Sequence, residues 1–234
     1  RDRSPSRGLG DVYKRQDPQG NATSGVAIDK RKVNASTYEI LVDGAKAESC
    51  IVTTPYENLH ILPSSLDLAA AELEISDKKG RESILKNALL PIKQYYDYII
   101  IDCPPSLGLI TTNALTASDT FLVPIQCEYY ALEGLTQLMS TVRRIKRQYN
   151  NTIDIEGVLL TMYDGRLNLT QQVVEEVKKF FPRKVFKTVI PRGVRLSEAP
   201  SFGMPVIYYD KNCKGSITYT ELAKEIIAKE RSYE

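Results

Sequence analysis

From Asp17 onward, short continuous apolar runs alternate with stretches of helical period. Residues 34–44 open on an N-cap and end at a glycine, residues 66–75 are rich in Ala, Leu and Glu, and residues 81–95 read as a helix interrupted by Pro91. Between them the run Leu59-His60-Ile61-Leu62 predicts a short strand stopped by Pro63. Residues 98–101, Tyr-Ile-Ile-Ile, form the clearest strand. The run is continuous rather than alternating, which predicts a central parallel strand with helices on both faces. Residues 120–125, 155–161 and 185–190 repeat this pattern. Helical periods over 133–149, 170–181 and 216–229 separate or follow them.

Strands alternating with helices predict an α/β fold, a doubly wound and mostly parallel sheet with helices on both faces. No internal repeat or low-complexity linker argues for a second domain, so residues 17–234 are expected to form one domain. Residues 1–16, RDRSPSRGLGDVYKRQ, stand apart. They hold five Arg or Lys and show neither a helical nor a strand period. They resemble a translated adapter or linker scar and are expected to be non-native or disordered. A native basic arm for nucleic acid is the alternative.

Composition narrows the function classes. With 31 Lys plus Arg against 29 Asp plus Glu, the chain is no polycation, and any nucleic-acid contact must be a local patch. Cys50, Cys103, Cys127 and Cys213 never form a C-x-x-C pair, which argues against structural zinc and a disulfide framework and for a reducing setting. No apolar run approaches the ~20 residues that cross a bilayer. A cytoplasmic protein is expected.

In such sheets ligands bind beyond the carboxyl ends of the strands, so polar residues directly after an apolar run are candidates for chemistry. Asp102 is the first, delivered to the sheet rim by Ile99-Ile100-Ile101 and followed by Pro104-Pro105, which ends the strand. An acid at a strand tip is what a Walker B site uses to hold Mg²⁺, usually through water, against phosphates. An Asp that merely starts a turn is the bland alternative. The second candidate is the bend Asp17-Pro18-Gln19-Gly20-Asn21-Ala22-Thr23. It offers backbone N–H groups and one carboxylate to a phosphate-sized space, and near a Walker B strand that carboxylate could orient the attacking water.

Both motifs resemble those of ParA-type partitioning ATPases, including the Soj proteins. DPQGNAT is similar to the loop after that family's second strand, YDYIIIDCPPSLGLITTNAL to its Walker B region and QCEYYALEGL to the segment after the next strand. EGVLLTMYD and TVIPRGVRLSEAPSFGMP resemble its nucleotide-proximal and C-terminal signatures. The likeness runs from Asp17 to about Lys229. It implies a P-loop NTPase-like fold that binds ATP and Mg²⁺. It implies further that Asp17 is the catalytic acid positioning water, that Asp102 supports Mg²⁺, and that Gly20, Asn21, Pro104 and Met162 line the nucleotide. The loop from Pro191 and Arg192 would lie near the base. Arg166 and Arg195 would contact double-stranded DNA without sequence preference. The family further implies an ATP-dependent homodimer, a ParB-like centromere-binding partner, a nucleoid-associated location and no membrane.

The departure from the family is a missing KGGVGKT-type loop. Gly8-Leu9-Gly10 lacks the lysines, the preceding strand and the following helix, so the sheet is expected to lack its first strand, P-loop and first helix, and the chain to be inactive toward ATP. Competing readings are a non-enzymatic interaction module and a MinD-like membrane-associated ATPase. The ending AKEIIAKERSYE has too little apolar surface for strong lipid binding. A nicotinamide oxidoreductase is disfavoured because no G-x-G-x-x-G follows a strand. His60 and the Arg143-Arg144, Lys146 and Arg147 cluster read as structural and solubilising, and Tyr129-Tyr130 as packing or capping the next helix.

Overall fold

A computed structural model describes residues 11–15, 20–104, 106–128 and 131–231. These divide into two compact units, one made of the described residues up to Ser118 together with Ile145–Asn151, the other of those from Asp119 to Arg144 and from Thr152 onward.

The first unit is built on a sheet of four strands, β1 (Asp11–Arg15), β2 (Val52–Thr53), β3 (Leu59–Leu62) and β4 (Ile99–Asp102), in the order β2-β3-β1-β4. β1 runs parallel to β3 and β4, and β2 antiparallel to β3. The helices are α1 (Asn21–Gly25), α2 (Thr37–Val42), α3 (Ala47–Cys50), α4 (Leu68–Glu74), α5 (Ile84–Leu89) and α6 (Leu109–Ala117). α2 begins where Ser36 and Glu39 make a capping box: Ser36 N–H donates to the Glu39 carboxylate at 2.6 Å, and Tyr38 N–H to Ser36 Oγ at 3.1 Å. Ile40, Leu41, Leu62, Leu68, Ala71, Ile75, Leu85 and Ile110 form one buried cluster, against which Ile99 and Ile101 pack.

Two expectations change here. Residues 11–15 do form a strand, although their side chains show no strand period. Ladder bonds are made by backbone groups that every residue except proline has, so a slot between two parallel strands accepts a sequence with little pattern of its own. β4, read as a central strand covered on both faces, pairs only with β1 among the described residues, and its burial alternates, with Ile100 43% exposed.

The second unit holds the parallel pair β5 (Thr120–Gln126) and β6 (Asp154–Thr161). Helix α7 spans Ala131–Gln148, its last residues belonging to the first unit, and is followed by α8 (Asn168–Phe180), α9 (Val194–Glu198), α10 (Val206–Tyr209) and α11 (Lys214–Glu230). β6 is covered on both faces, as its apolar run predicts. Val158 and Leu160 pack with Leu135, Val173 and Val177 from α7 and α8, while Leu159 packs with Phe186, Ile190 and Leu222. Gly157 is required for this: a Cβ there would lie 2.4 Å from the Phe186 ring. The strand expected over 185–190 is instead an extended segment joined to β6 by isolated bridges, Val158 to Val185 and Tyr163 to Pro191.

Candidate functional site

In the first unit the candidate chemistry gathers at the carboxyl end of the sheet. The β1–β4 register sets Arg15 opposite Asp102, so both strands end at the same end of the sheet. Asp17 itself lies outside the described residues. Gly20 begins α1 in the left-handed region, at φ 57°, which suits glycine. It is buried. A Cβ at Gly20 would meet Lys30 Cε at 3.0 Å and the Ser64 carbonyl oxygen at 3.2 Å, so Lys30 and the end of β3 close over this bend. Thr23, fully buried, accepts a hydrogen bond from Ser64 N–H at 3.1 Å and ties the bend to β3. Asn21 and Asp102 are exposed and Pro104 is half-buried.

Between Asp102 and Pro104, burial first and the Asp102 charge second push the Cys103 thiol up to about 12, which makes it a poor nucleophile. Beyond it, Glu72 of α4 accepts from Ile110 N–H at 3.0 Å, and its carboxylate occupies the space where a Cβ on Gly108 would stand. That carboxylate satisfies an N–H in the first turn of α6.

In the second unit, Met162, Pro191 and Arg192 are brought together. Met162 follows β6 with φ 53°, an uncommon conformation for a residue with a side chain. Tyr163 N–H then donates to the Ile190 carbonyl at 3.0 Å, and Pro191 bridges to Tyr163. Arg192 reaches Glu128, just beyond β5, at 3.5 Å. Glu128 also helps line a cavity of about 400 Å³ beside β5, otherwise mainly apolar with Val123, Ile125, Leu135 and Leu138. Arg166 grips Asp164 with both arms of its guanidinium, at 2.9 and 2.7 Å, while its N–H caps the same carboxylate at 3.1 Å. The Arg166 hydrogen bonds hold the Asp164 carboxyl down at about 2. Arg195 contacts Glu198 at 2.9 Å and Asp210 at 3.4 Å, with its guanidinium 6.0 Å from the Tyr209 ring centre. Both arginines are therefore already ion-paired, and a phosphate would have to compete with carboxylates for them.

Of the groups that hold these arginines, Asp210 and the Tyr209 ring are what a pattern search misses. Asp164 and Arg166 stand two apart in a turn, and Arg195 and Glu198 three apart on a helix, so both short spacings were visible in the sequence. Glu128 and Asp210 come from distant positions. His60 is half-buried on β3, its Nδ1 3.2 Å from the Tyr96 hydroxyl. Tyr129 and Tyr130 lie outside the described residues.

Mg²⁺ keeps several of its waters and needs only one or two carboxylates, so the exposed Asp102 at a strand tip fits that role. Among the described residues no group of three His, Cys, Asp or Glu could hold a metal on its own, and no helix is long and apolar enough to cross a membrane.

Taken as a fold, this is an α/β nucleotide-binding architecture of the P-loop NTPase kind. Cobyrinic acid a,c-diamide synthase from Mycobacterium smegmatis, solved with ADP and magnesium, superposes with a TM-score of 0.83 at 32% identity, covering 97% of this chain and 85% of that one. The Pyrococcus furiosus cell division ATPase MinD, at 22% identity and a TM-score of 0.76, shares the fold, over 95% of this chain and 87% of its own. A family model described as an AAA domain matches residues 15–155. The sporulation initiation inhibitor protein Soj of Bacillus subtilis is 58% identical over 212 residues, 91% of this chain and 84% of that protein. The chromosome partitioning protein ParA of Myxococcus xanthus is 47% identical over 214 residues, 92% of this chain and 76% of that protein. The chain belongs to the Soj/ParA family of chromosome-partitioning ATPases.

Proposed function

We propose that the chain represents a ParA-type partitioning ATPase whose intact form binds ATP with Mg²⁺ and couples hydrolysis to dimerisation and to non-specific DNA binding. The observation that supports this most directly is the parallel register of Arg15 with Asp102, because it brings the carboxyl ends of β1 and β4 to one end of the sheet, where ligands of such folds bind. In this reading Asp102 holds Mg²⁺ through water, Asp17 orients the attacking water, and Gly20, Asn21 and Pro104 shape the phosphate side. Met162, Pro191 and Arg192 face the base. Mg²⁺ supplies neutralisation of phosphate charge. Arg166 and Arg195 exchange their carboxylate partners for DNA phosphates, which makes binding steeply salt-dependent. A ParB-like centromere-binding protein and a second copy of the chain are the partners, at the nucleoid in the cytoplasm.

The 234 residues contain no glycine-lysine loop to cradle the phosphates, so this polypeptide by itself is proposed not to hydrolyse ATP. A malachite-green phosphate assay on the purified chain should give no release above the protein-free control, whereas a relative with an intact P-loop turns over. Equal turnover would overturn the inactivity. In a P-loop-containing homologue, alanine at the position matching Arg195 should weaken duplex binding and leave nucleotide binding intact. Unchanged DNA affinity at low salt would remove Arg195 from the interface.

A further inference from the structure

Residues 184–191 run beside β6 as a third parallel segment, and the join is irregular in an informative way. It begins regularly: Val158 N–H donates to the Lys184 carbonyl at 2.7 Å and Phe186 N–H to the Val158 carbonyl at 3.0 Å. Continued in register, the next N–H to reach Leu160 would be that of Thr188. Instead the Leu160 carbonyl accepts from Ile190, at 2.9 Å, so the segment has looped out by two residues. On β6 the next donor in register would be Met162, but the bond to the Ile190 carbonyl comes from Tyr163, at 3.0 Å. One residue is therefore extra on β6, and it is Met162, the residue with φ 53°. The two irregularities partly cancel, and six steps from Val185 to Pro191 face five from Val158 to Tyr163.

The looped-out stretch turns the Lys187 and Thr188 N–H groups away from the ladder. Glu225 of α11 accepts both, Oε1 from Lys187 at 2.8 Å and Oε2 from Thr188 at 3.0 Å. One helical turn on, Lys229 Nζ lies 4.2 Å from the Phe186 ring centre and donates to the Glu156 carbonyl at 3.1 Å. Burial works to raise the Glu225 carboxyl, but the Lys187 and Thr188 N–H groups, the Thr188 hydroxyl and the Lys229 charge together outweigh it and hold the group below its ordinary range.

We propose that Glu225 is a positioning residue: by capping the bulge it selects the register that seats Pro191 beside Tyr163 and holds Met162 in its left-handed conformation. Without the cap, the competing arrangement is the regular one, in which Thr188 takes the Leu160 carbonyl and the Pro191-Arg192 loop slides along β6. Only the functional meaning of this device rests on the reading of Met162, Pro191 and Arg192 as nucleotide-facing.

The test is residue-resolved amide hydrogen exchange on the full chain and on Glu225→Gln and Glu225→Ala. Gln keeps the shape of the side chain but turns one acceptor into a donor, so it removes the cap with less loss of packing than Ala. In Glu225→Gln the Lys187 and Tyr163 amides should exchange on the order of tenfold faster, while Thr188, rebonded to Leu160, stays protected, with α8 and β5 unchanged. A simple cap with no influence on register would release Lys187 and Thr188 alone. Continued protection of Tyr163 in both variants would overturn the proposal. No nucleotide enters this measurement, so a failed nucleotide or DNA assay would count against the proposed function and leave the register argument standing.

Discussion

β4 and β6 read alike in the sequence, yet they differ in the structure. Each is an apolar run of the kind that central parallel strands use. β6 has β5 on one side, the 184–191 segment on the other, α7 and α8 on one face and α11 with Phe186 on the other, and from Gly157 to Leu160 it is buried throughout. β4 has one neighbour among the described residues, and its burial alternates. A continuous apolar run thus records the surroundings a strand is suited to, while alternating burial records those it has. The first unit draws its cohesion from the helical layer over β3 and β4, the second from a strand enclosed on every side.

The sharpest way to break this comparison is to truncate one strand in each unit. Leu160→Ala removes a side chain that is 2% exposed and should cost about 2–5 kcal/mol, whereas Ile100→Ala, at a position 43% exposed, should cost about 0.5 kcal/mol. Urea unfolding followed by a probe in each unit reads both. Equal losses would mean that β4 is as enclosed as β6. A smaller effect tests the packing behind β6. Gly157→Ala brings a methyl group to within 2.4 Å of a Phe186 ring that is itself 3% exposed, and should destabilise the second unit by about 1–3 kcal/mol. Adding Phe186→Leu should recover part of that loss, because the two residues compete for one space.

The same comparison explains how much was legible beforehand. Helices with their own punctuation were: an N-cap stands ahead of α2, Gly44 follows its end, and Pro91 stops α5, although the capping box of Ser36 and Glu39 emerges only from the structure. Strands β3 to β6 were legible as apolar runs. β1 was not, because its place is set by two neighbours offering backbone partners rather than by its own side chains. Nor was the 184–191 segment, whose apolar run predicts a strand but whose ladder is broken by a bulge that Glu225, more than thirty residues later, satisfies. Asp102 at the tip of β4 and the turn at Gly20 were legible from short motifs as positions in the fold. The partners of the arginines were only partly so. Asp164 and Glu198 are neighbours in sequence, but Glu128 and Asp210 reach Arg192 and Arg195 through the tertiary fold.

If the helical layer sustains the first unit, loosening one helix start should be felt there more than trimming β4. Ser36→Ala removes the acceptor for Tyr38 N–H and one side of the capping box, at a cost of about 1 kcal/mol, exceeding that of Ile100→Ala. Thermal unfolding of the two variants orders them. The reverse order would shift the weight of the first unit onto its sheet.

The smallest expected effect concerns the second unit's surface, where charge rather than enclosure sets the structure. Asp164 is held down at about 2 from an ordinary 3.8, chiefly by the hydrogen bonds from Arg166. A depressed carboxyl contributes stability that is fully present above its unfolded value and is lost as the pH falls through its folded value. For Asp164 that window runs from about 3.8 down to about 2. Arg166 is exposed and Asp164 only half-buried at the surface, so the loss should be slight and salt-sensitive. Carboxyl chemical shifts followed by NMR over this range should titrate near 2 in the parent chain and return toward the ordinary value in Arg166→Ala. An Asp164 that titrates at its ordinary value in both would mean that Arg166 is not clasped in solution. Its guanidinium would then meet a phosphate without first surrendering a carboxylate, and Arg195, held by two acids, would become the costlier of the two arginines to recruit.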